Sequence, residues 1–386
     1  MIQPITAGIV GALTGFASSF AIVLAGLLAV GATPQEAASG LLVLCILQGV
    51  LAILLSWRTR LPLSFAWSTP GAALLVAAQG TTSSFDAAIG AFIVCGALVV
   101  LTGLWPALGR AMTSIPVPIT GAMLAGILFS LCLAPVRAAV EAPLLAIPIL
   151  LVWLFLQRYS PRWAIPAAMV VAIAGVAIQA GGSPLSGGSA APTLALTMPT
   201  LDPLVIASLG VPLYVVTMAG QNLPGFAVLR TLGYESIPSR PVLVGSGIAT
   251  AVAAPFGGHA LNLAALSAAI MAGPDAHPDR ERRWIAAVSG GVSYLVLGLV
   301  AGAASAFIET ASPLLIEAVA GLALISAFVT GLVSAFTPAA HRLAAAATFL
   351  VVASGVTISG VGSAFWGLLA GGAVYLWTRP RLSAAA

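Results

Sequence analysis

The 386-residue chain contains no lysine, and only 6% of its residues carry charge while 60% are hydrophobic. A soluble domain of this length needs far more charge to cover its surface, so the scarcity excludes one and leaves a polytopic membrane protein. The basic residues are all arginines, and the net charge of +4 is no nucleic-acid signal. The three cysteines, Cys45, Cys95 and Cys132, lie inside apolar runs, which excludes a disulfide framework and a CxxC site. HExxH, a Cys/His cluster, GxSxG and the P-loop are all missing, so the sequence offers no enzyme machinery, no metal site and no cofactor. The N-terminus lacks the charged region of a signal peptide, and its first apolar run is long enough to be a retained span.

What remains is apolar sequence. A span needs ~20 apolar residues, fewer where a helix is broken. Fourteen segments meet this: 6–30, 37–57, 61–79, 86–105, 114–134, 142–157, 163–180, 202–224, 240–254, 255–273, 284–307, 312–334, 341–357 and 360–378. The arginines check the count. With the N-terminus cytoplasmic, Arg58, Arg60, Arg110, Arg158, Arg162, Arg230, Arg240, Arg280, Arg282, Arg283, Arg342, Arg379 and Arg381 fall on the inner side, and only Arg137 falls outside. The expectation is an all-α polytopic membrane protein with both termini cytoplasmic. The stretch 179–200, rich in Gly, Ser and Pro, reads as a flexible outer linker between two seven-span halves. An odd number of spans per half inverts the second half, the arithmetic of inverted repeats.

The third span of each half is unusual. "LPLSFAWSTPGAALLVAAQG" (61–80) and "APFGGHALNLAALSAAIMAG" (254–273) each start with proline, pass through a short extended stretch and enter a small-residue helix containing "AAL". Ser68 and Thr69 suit a helix cap and Pro70 a first turn. In the second copy Gly257 and Gly258 precede His259 to Asn262, read as the start of the half-helix. Broken helices at membrane depth are tolerated only against protein or a water-filled cavity. Two half-helix N-termini, each with roughly half a positive charge and unpaired N–H groups, make an anion site, most simply for a carboxylate.

Gln221 and Asn222, adjacent amides in span 8, are candidates to line the same cavity, as are Thr14, Ser18 and Ser19 in span 1. Helix gluing and hydroxyls bonded back to their own backbone are the bland alternatives. The acids Glu36, Asp86, Glu141, Asp202, Glu235, Asp275, Asp279, Glu281 and Glu309 fall in loops or at span ends, and only Glu317 lies inside one. A carboxylate-built sodium site is therefore not expected. His277 and His341 sit at inner ends, which leaves His259 as the deep group with an intrinsic pKa in the physiological range, ~6.5.

The motifs "WSTPGAALL" (67–75), "VTMAGQNLPG" (216–225), "GYESIPSRP" (233–241), "APFGGHALNLAALSAAI" (254–270) and "GPDAHPDRERRW" (273–284) resemble the benzoate:proton symporter family of bacteria, the BenE family. The resemblance runs in order along nearly the whole chain. It implies the seven-plus-seven uracil-transporter-like fold, with a core of residues 1–112 (spans 1–4) and 200–310 (spans 8–11). Residues 113–199 (spans 5–7) and 311–386 (spans 12–14) would form the gate. It carries substrate-binding roles onto Ser68, Thr69, Pro70, Gln221, Asn222, His259 and Asn262, with Gly258 in the same motif. In nucleobase relatives, acids in spans 8 and 10 hold the substrate ring. Gln221 and His259 stand near those places here, which fits an anion in place of a neutral base. Relatives often pair through the gate, which would make a second copy a partner in a homodimer.

The implied function is proton-coupled uptake of benzoate or a similar aromatic carboxylate across the bacterial inner membrane by alternating access. The ring would lie against Phe16, Phe20, Phe65, Tyr214 or Phe256. A carboxylate ~4 Å from His259 would favour its protonated ring by about 4 kcal/mol at an effective dielectric near 20, so proton and anion would bind together. A neutral, structural His259 is the alternative role. A nucleobase symporter, and an inorganic-anion exchanger or channel, are the alternative functions on the same fold.

Overall fold

The computed structural model describes residues 2–80, 82, 84–179, 193–304 and 313–378. Helix α1 (Ile2–Ala29) leads through a tight turn into α2 (Pro34–Thr59), which starts with a reciprocal capping box between Thr33 and Glu36. The chain then runs extended into strand β1 (Phe65–Trp67) and the nine-residue helix α3 (Thr69–Ala77). There follow α4 (Phe85–Leu104), α5 (Pro106–Ser114), α6 (Val117–Glu141), α7 (Pro143–Tyr159) and α8 (Pro161–Gln179).

Next is α9 (Pro203–Thr231), which contains two π-helical turns, at Ile206–Gly210 and Met218–Asn222. After α10 (Ser239–Ala253) the chain breaks again, into strand β2 (Leu261–Leu263) and the short helix α11 (Ala265–Ala272). The rest is α12 (Trp284–Gly298), α13 (Pro313–Phe336), α14 (Arg342–Ala353) and α15 (Ser363–Thr378). A helix, or a strand followed by a short helix, lies in each segment expected to be apolar. Among the described residues six helices, namely α1, α2, α4, α6, α9 and Leu314–Phe336 of α13, are long and apolar enough to cross a membrane.

Three differences from the sequence expectation have physical causes. Helix α5 occupies a stretch expected to be loop. It carries Arg110 and buries only Met112, as suits a helix lying along an interface. Residues 193–200 are pinned, whereas a flexible linker was expected over 179–200 (180–192 lie outside the described residues). Ala195 N–H donates to Ser39 Oγ (3.0 Å), Thr197 Oγ1 to Glu36 Oε1 (2.7 Å) and Thr200 Oγ1 to Asp86 Oδ2 (2.9 Å), tying this stretch to the starts of α2 and α4. Arg283, expected only to mark a membrane face, is buried. Its guanidinium donates to the carbonyls of Ala272 (2.9 Å), His277 (2.7 Å) and Pro278 (3.3 Å), so it caps the C-terminal end of α11.

Helices that carry little polar glue must approach closely, and glycines allow it. A Cβ on Gly49 would lie 2.7 Å from the Gly291 carbonyl oxygen, and one on Gly291 equally close to that of Gly49. Gly96 and Gly247 meet the same way at 2.7 and 2.6 Å, and Gly121 and Gly331 at 2.8 and 3.0 Å. These reciprocal contacts fix the crossings of α2 with α12, α4 with α10, and α6 with α13. At the periphery, α7 buries only Ala146 and Ile149 and turns Leu144, Leu151 and Phe155 outward.

A methyl group at such a crossing has nowhere to go. Gly96→Ala is expected to destabilise the detergent-solubilised protein by about 1–3 kcal/mol. Gly372→Ala, where a Cβ would meet nothing within 4 Å, should be neutral or gain about 1 kcal/mol. Thermal melts of the two variants side by side check this.

Candidate functional site

Strands β1 and β2 pair with each other although they lie far apart in sequence. The pairing is antiparallel, with Phe65 opposite Leu263, Ala66 opposite Asn262 and Trp67 opposite Leu261. Beyond it, Ser68 N–H donates to the Ala260 carbonyl (2.8 Å) and Ala264 N–H to the Ser64 carbonyl (2.9 Å). The ribbon is therefore two-fold about the Ala66–Asn262 pair, and each residue of one strand has an equivalent 196 positions on. The short helices leave its two ends in opposite directions.

Side chains finish what the ribbon leaves unpaired. Ser56 Oγ donates to the Leu63 carbonyl (3.0 Å) and accepts its N–H (3.2 Å). Thr250 Oγ1 accepts the Leu261 N–H (2.9 Å), and Asn222 Oδ1 accepts that of Leu263 (2.9 Å). Ser68 caps α3 by accepting the Gly71 N–H (3.1 Å), and its hydroxyl oxygen also accepts from Thr217 Oγ1 (2.9 Å). His259 Nε2 lies 3.0 Å from the Ser68 carbonyl. A carbonyl only accepts, so Nε2 carries the hydrogen and Nδ1 presents a lone pair. That Nδ1 and Asn262 Oδ1 are buried with no partner among the described residues.

The two helix starts are not equivalent. Helix α3 has Pro70 without an N–H, Gly71 capped by Ser68, and Ala72 N–H bonded to the Ser68 carbonyl. Its N-terminus is almost satisfied. Helix α11 follows Ala264, which supplies no side-chain cap, and Ala265 and Ser267 have no acceptor for their N–H among the described residues. Near it, a Cβ on Gly15 would run into Tyr294 Oη and lie 3.5 Å from Ser267 Oγ. Aromatic rings continue from there. Trp67 stands edge-on to Tyr294 (6.1 Å) and to Phe16 (5.9 Å), Phe16 stacks on Phe20 (5.2 Å), and Trp67 Nε1 donates to Ser19 Oγ (2.9 Å).

The expected site residues thus separate. Ser68, Asn222, His259 and Asn262 gather at the ribbon, fully buried, with Pro70 buried at the start of α3. Thr69, at the start of α3, and Gln221, in the second π-turn of α9, are half-buried and make no side-chain hydrogen bond among the described residues. Phe65 is buried within β1 and Phe16 is nearly so. Ser18 bonds back to the Gly15 carbonyl (3.0 Å). Gly258 is a packing contact, since a Cβ there would lie 2.6 Å from Ala253 Cβ. Phe256 lies where the pinned stretch crosses, its carbonyl accepting from Ser39 Oγ (2.9 Å). His259 to Asn262 belong to the approach to β2 and to the strand itself, and α11 starts only at Ala265. Thr217, Ser56, Thr250 and Tyr294 are the groups that sequence reasoning missed. Membrane hydroxyls mostly bond to their own helix, so their sequence signal is weak.

Helices of membrane-crossing length around two broken ones define a polytopic helical membrane protein. The chain belongs to the BenE family, described as benzoate membrane transport proteins, which it matches over residues 1–377. It is a transport protein and not an enzyme. It is 40% identical to the inner membrane protein YdcO of Escherichia coli K12, over 96% of this chain and 94% of that one. It is 33% identical to the benzoate membrane transport protein of Acinetobacter baylyi, over 86% and 84%. Its fold is that of the transmembrane domain of the cyanobacterial bicarbonate transporter BicA, with a TM-score of 0.59 at 16% identity, covering 97% of this chain and 96% of that one.

His259 braces α3 through Nε2 alone. His259→Gln, which keeps a donor near that position, should melt close to wild type, and His259→Leu about 1 kcal/mol lower, the net worth of one hydrogen bond. Equal melting of both variants would remove the brace.

Proposed function

We propose that the protein carries benzoate or a similar aromatic carboxylate through the inner membrane together with a proton, by alternating access. The uncapped start of α11 beside an aromatic cluster, in a chain of this family, carries the reading. The carboxylate meets the free N–H groups of Ala265 and Ser267, where the helix end adds roughly half a positive charge. The ring lies along the ribbon face by Ala66 and against Phe16. Thr69 and Gln221 line the far end of that face.

The N-caps Ser68 and Ala264 sit four strand residues apart, ~13 Å at ~3.3 Å per residue, so one carboxylate engages one helix start. The architecture we propose is fourteen spans in two inverted halves with both termini cytoplasmic, its spans 1–4 and 8–11 forming the core and the rest the gate. The two-fold ribbon supports it. So do the glycine crossings, since Gly49 and Gly247, and Gly96 and Gly291, are related by the ribbon's own shift to within two residues.

His259 is the proton site in this reading. Its Nδ1 takes the proton while Nε2–H keeps its bond to Ser68. The six residues from His259 to Ala265 span at most ~20 Å. At that distance, and an effective dielectric near 20, an imidazolium favours the anion by about 0.8 kcal/mol, a factor of ~4. The linkage is reciprocal.

Three measurements test this. In a thermal-shift panel of benzoate, uracil, urate and sulfate, benzoate at 100 times its Kd should stabilise by about 2.7 kcal/mol and the others should not. Ala264→Ser supplies the missing cap and competes for the Ser267 N–H, so it should weaken benzoate binding about 5–10-fold without lowering the melting temperature. In vesicles, His259→Gln should lose accumulation driven by an inward proton gradient yet retain benzoate exchange. Concentrative uptake at wild-type rates would end the proton role.

A further inference from the structure

Two of the side chains that hold the broken helices, one for each break, come from a single short stretch of α9. Thr217 Oγ1 donates to Ser68 Oγ, the cap of α3, and Asn222 Oδ1 accepts the N–H of Leu263, one residue before the N-cap of α11. Both side chains are fully buried. Residues five apart on an α-helix point about 140° away from each other, so an unbroken α9 could not serve both ends of the ribbon from one side. Between them lies the π-turn Met218–Asn222, closed by the Leu223 N–H on the Met218 carbonyl. An i→i+5 turn sets residues five apart nearly one above the other. The same turn leaves Gln221 half-buried, beside Gly220, whose Cβ would lie 3.5 Å from Pro70 Cγ.

We propose that this π-turn sets the register of the transport site, with Thr217 and Asn222 as positioning residues that fix the starts of α3 and α11 relative to each other. A π-turn gives up regular α-helical hydrogen bonding, and such turns recur at functional sites. Here it aligns two polar groups on the ribbon. Neither Thr217 nor Asn222 needs to touch the ligand. The role in transport rests on the function proposed above, whereas the clamping of the ribbon does not.

Amide hydrogen exchange on the full-length protein in nanodiscs without ligand tests the clamp. Asn222→Leu should speed exchange in 261–267 roughly tenfold, and Thr217→Val should do so in 68–73, with α13 and α14 unchanged in both. If Asn222→Leu does not fold, the near-isosteric Thr217→Val decides alone. Unchanged exchange in the segment facing the altered residue overturns the inference. Benzoate uptake then separates positioning from plain stability. Thr217→Val should raise KM about fivefold with Vmax within twofold, and Thr217→Ser, which restores the hydroxyl, should return KM to wild type. A loss confined to Vmax, or no rescue by serine, overturns the positioning role. If the wild type takes up no benzoate, the functional reading fails, and the exchange result still judges the clamp.

Discussion

Every unpaired backbone N–H and carbonyl at membrane depth must find a partner inside the protein, and two helices of this chain are broken there. The arrangement of the molecule's middle follows from that one requirement. Each break offers the other its extended backbone over three residue pairs. The outward-facing groups of the pairs and those just beyond them go to Ser56, Ser68, Thr250, Asn222 and His259, contributed by α2, α9, α10 and the broken segments themselves. Much of the buried polar chemistry of this apolar chain is committed to one ribbon.

Solving the backbone problem also produces the asymmetry on which the proposed function turns. The ribbon is two-fold, but its ends differ. Ser68 and Pro70 leave the start of α3 with little to offer an anion, and Ala264 leaves the start of α11 open. The surroundings differ in the same sense. Thr217 and Gly220 crowd the closed end, while Gly15, Ser267 and Tyr294 stand at the open one. A scaffold that distributed its hydrogen bonds evenly would hold the ribbon equally well but would present no particular place for a carboxylate. Glycine crossings on either side keep the surrounding helices close enough for those hydrogen bonds to reach.

Much of this was legible in the sequence. Scarce charge, arginine placement and segment length gave the membrane class, and "STP" at 68–70 announced a capped helix start at a proline. The second break was legible as a break but was misplaced. Its "AAL" repeats the small-residue composition of α3 at an offset of 192, whereas the strands pair at 196, because alanine-rich helices carry almost no side-chain information about register. The π-turn had no sequence signal at all. Its composition, "MAGQN", suits an α-helix as well, and only the two buried hydrogen bonds on either side of it favour the wider turn. The lone His259 stood out from the start. Its link to Ser68, 191 residues away, is a tertiary fact that local pattern does not encode.

The central claim is that the ribbon stays closed and the ligand's carboxylate docks at the open start of α11. A structure of the full-length protein with benzoate bound tests it most directly. The carboxylate should lie within hydrogen-bond distance of the Ala265 and Ser267 N–H groups, with the ring beside Phe16 and the Ala66–Asn262 pairing intact. Benzoate seated elsewhere, or a ribbon pulled apart to admit it, would contradict the account.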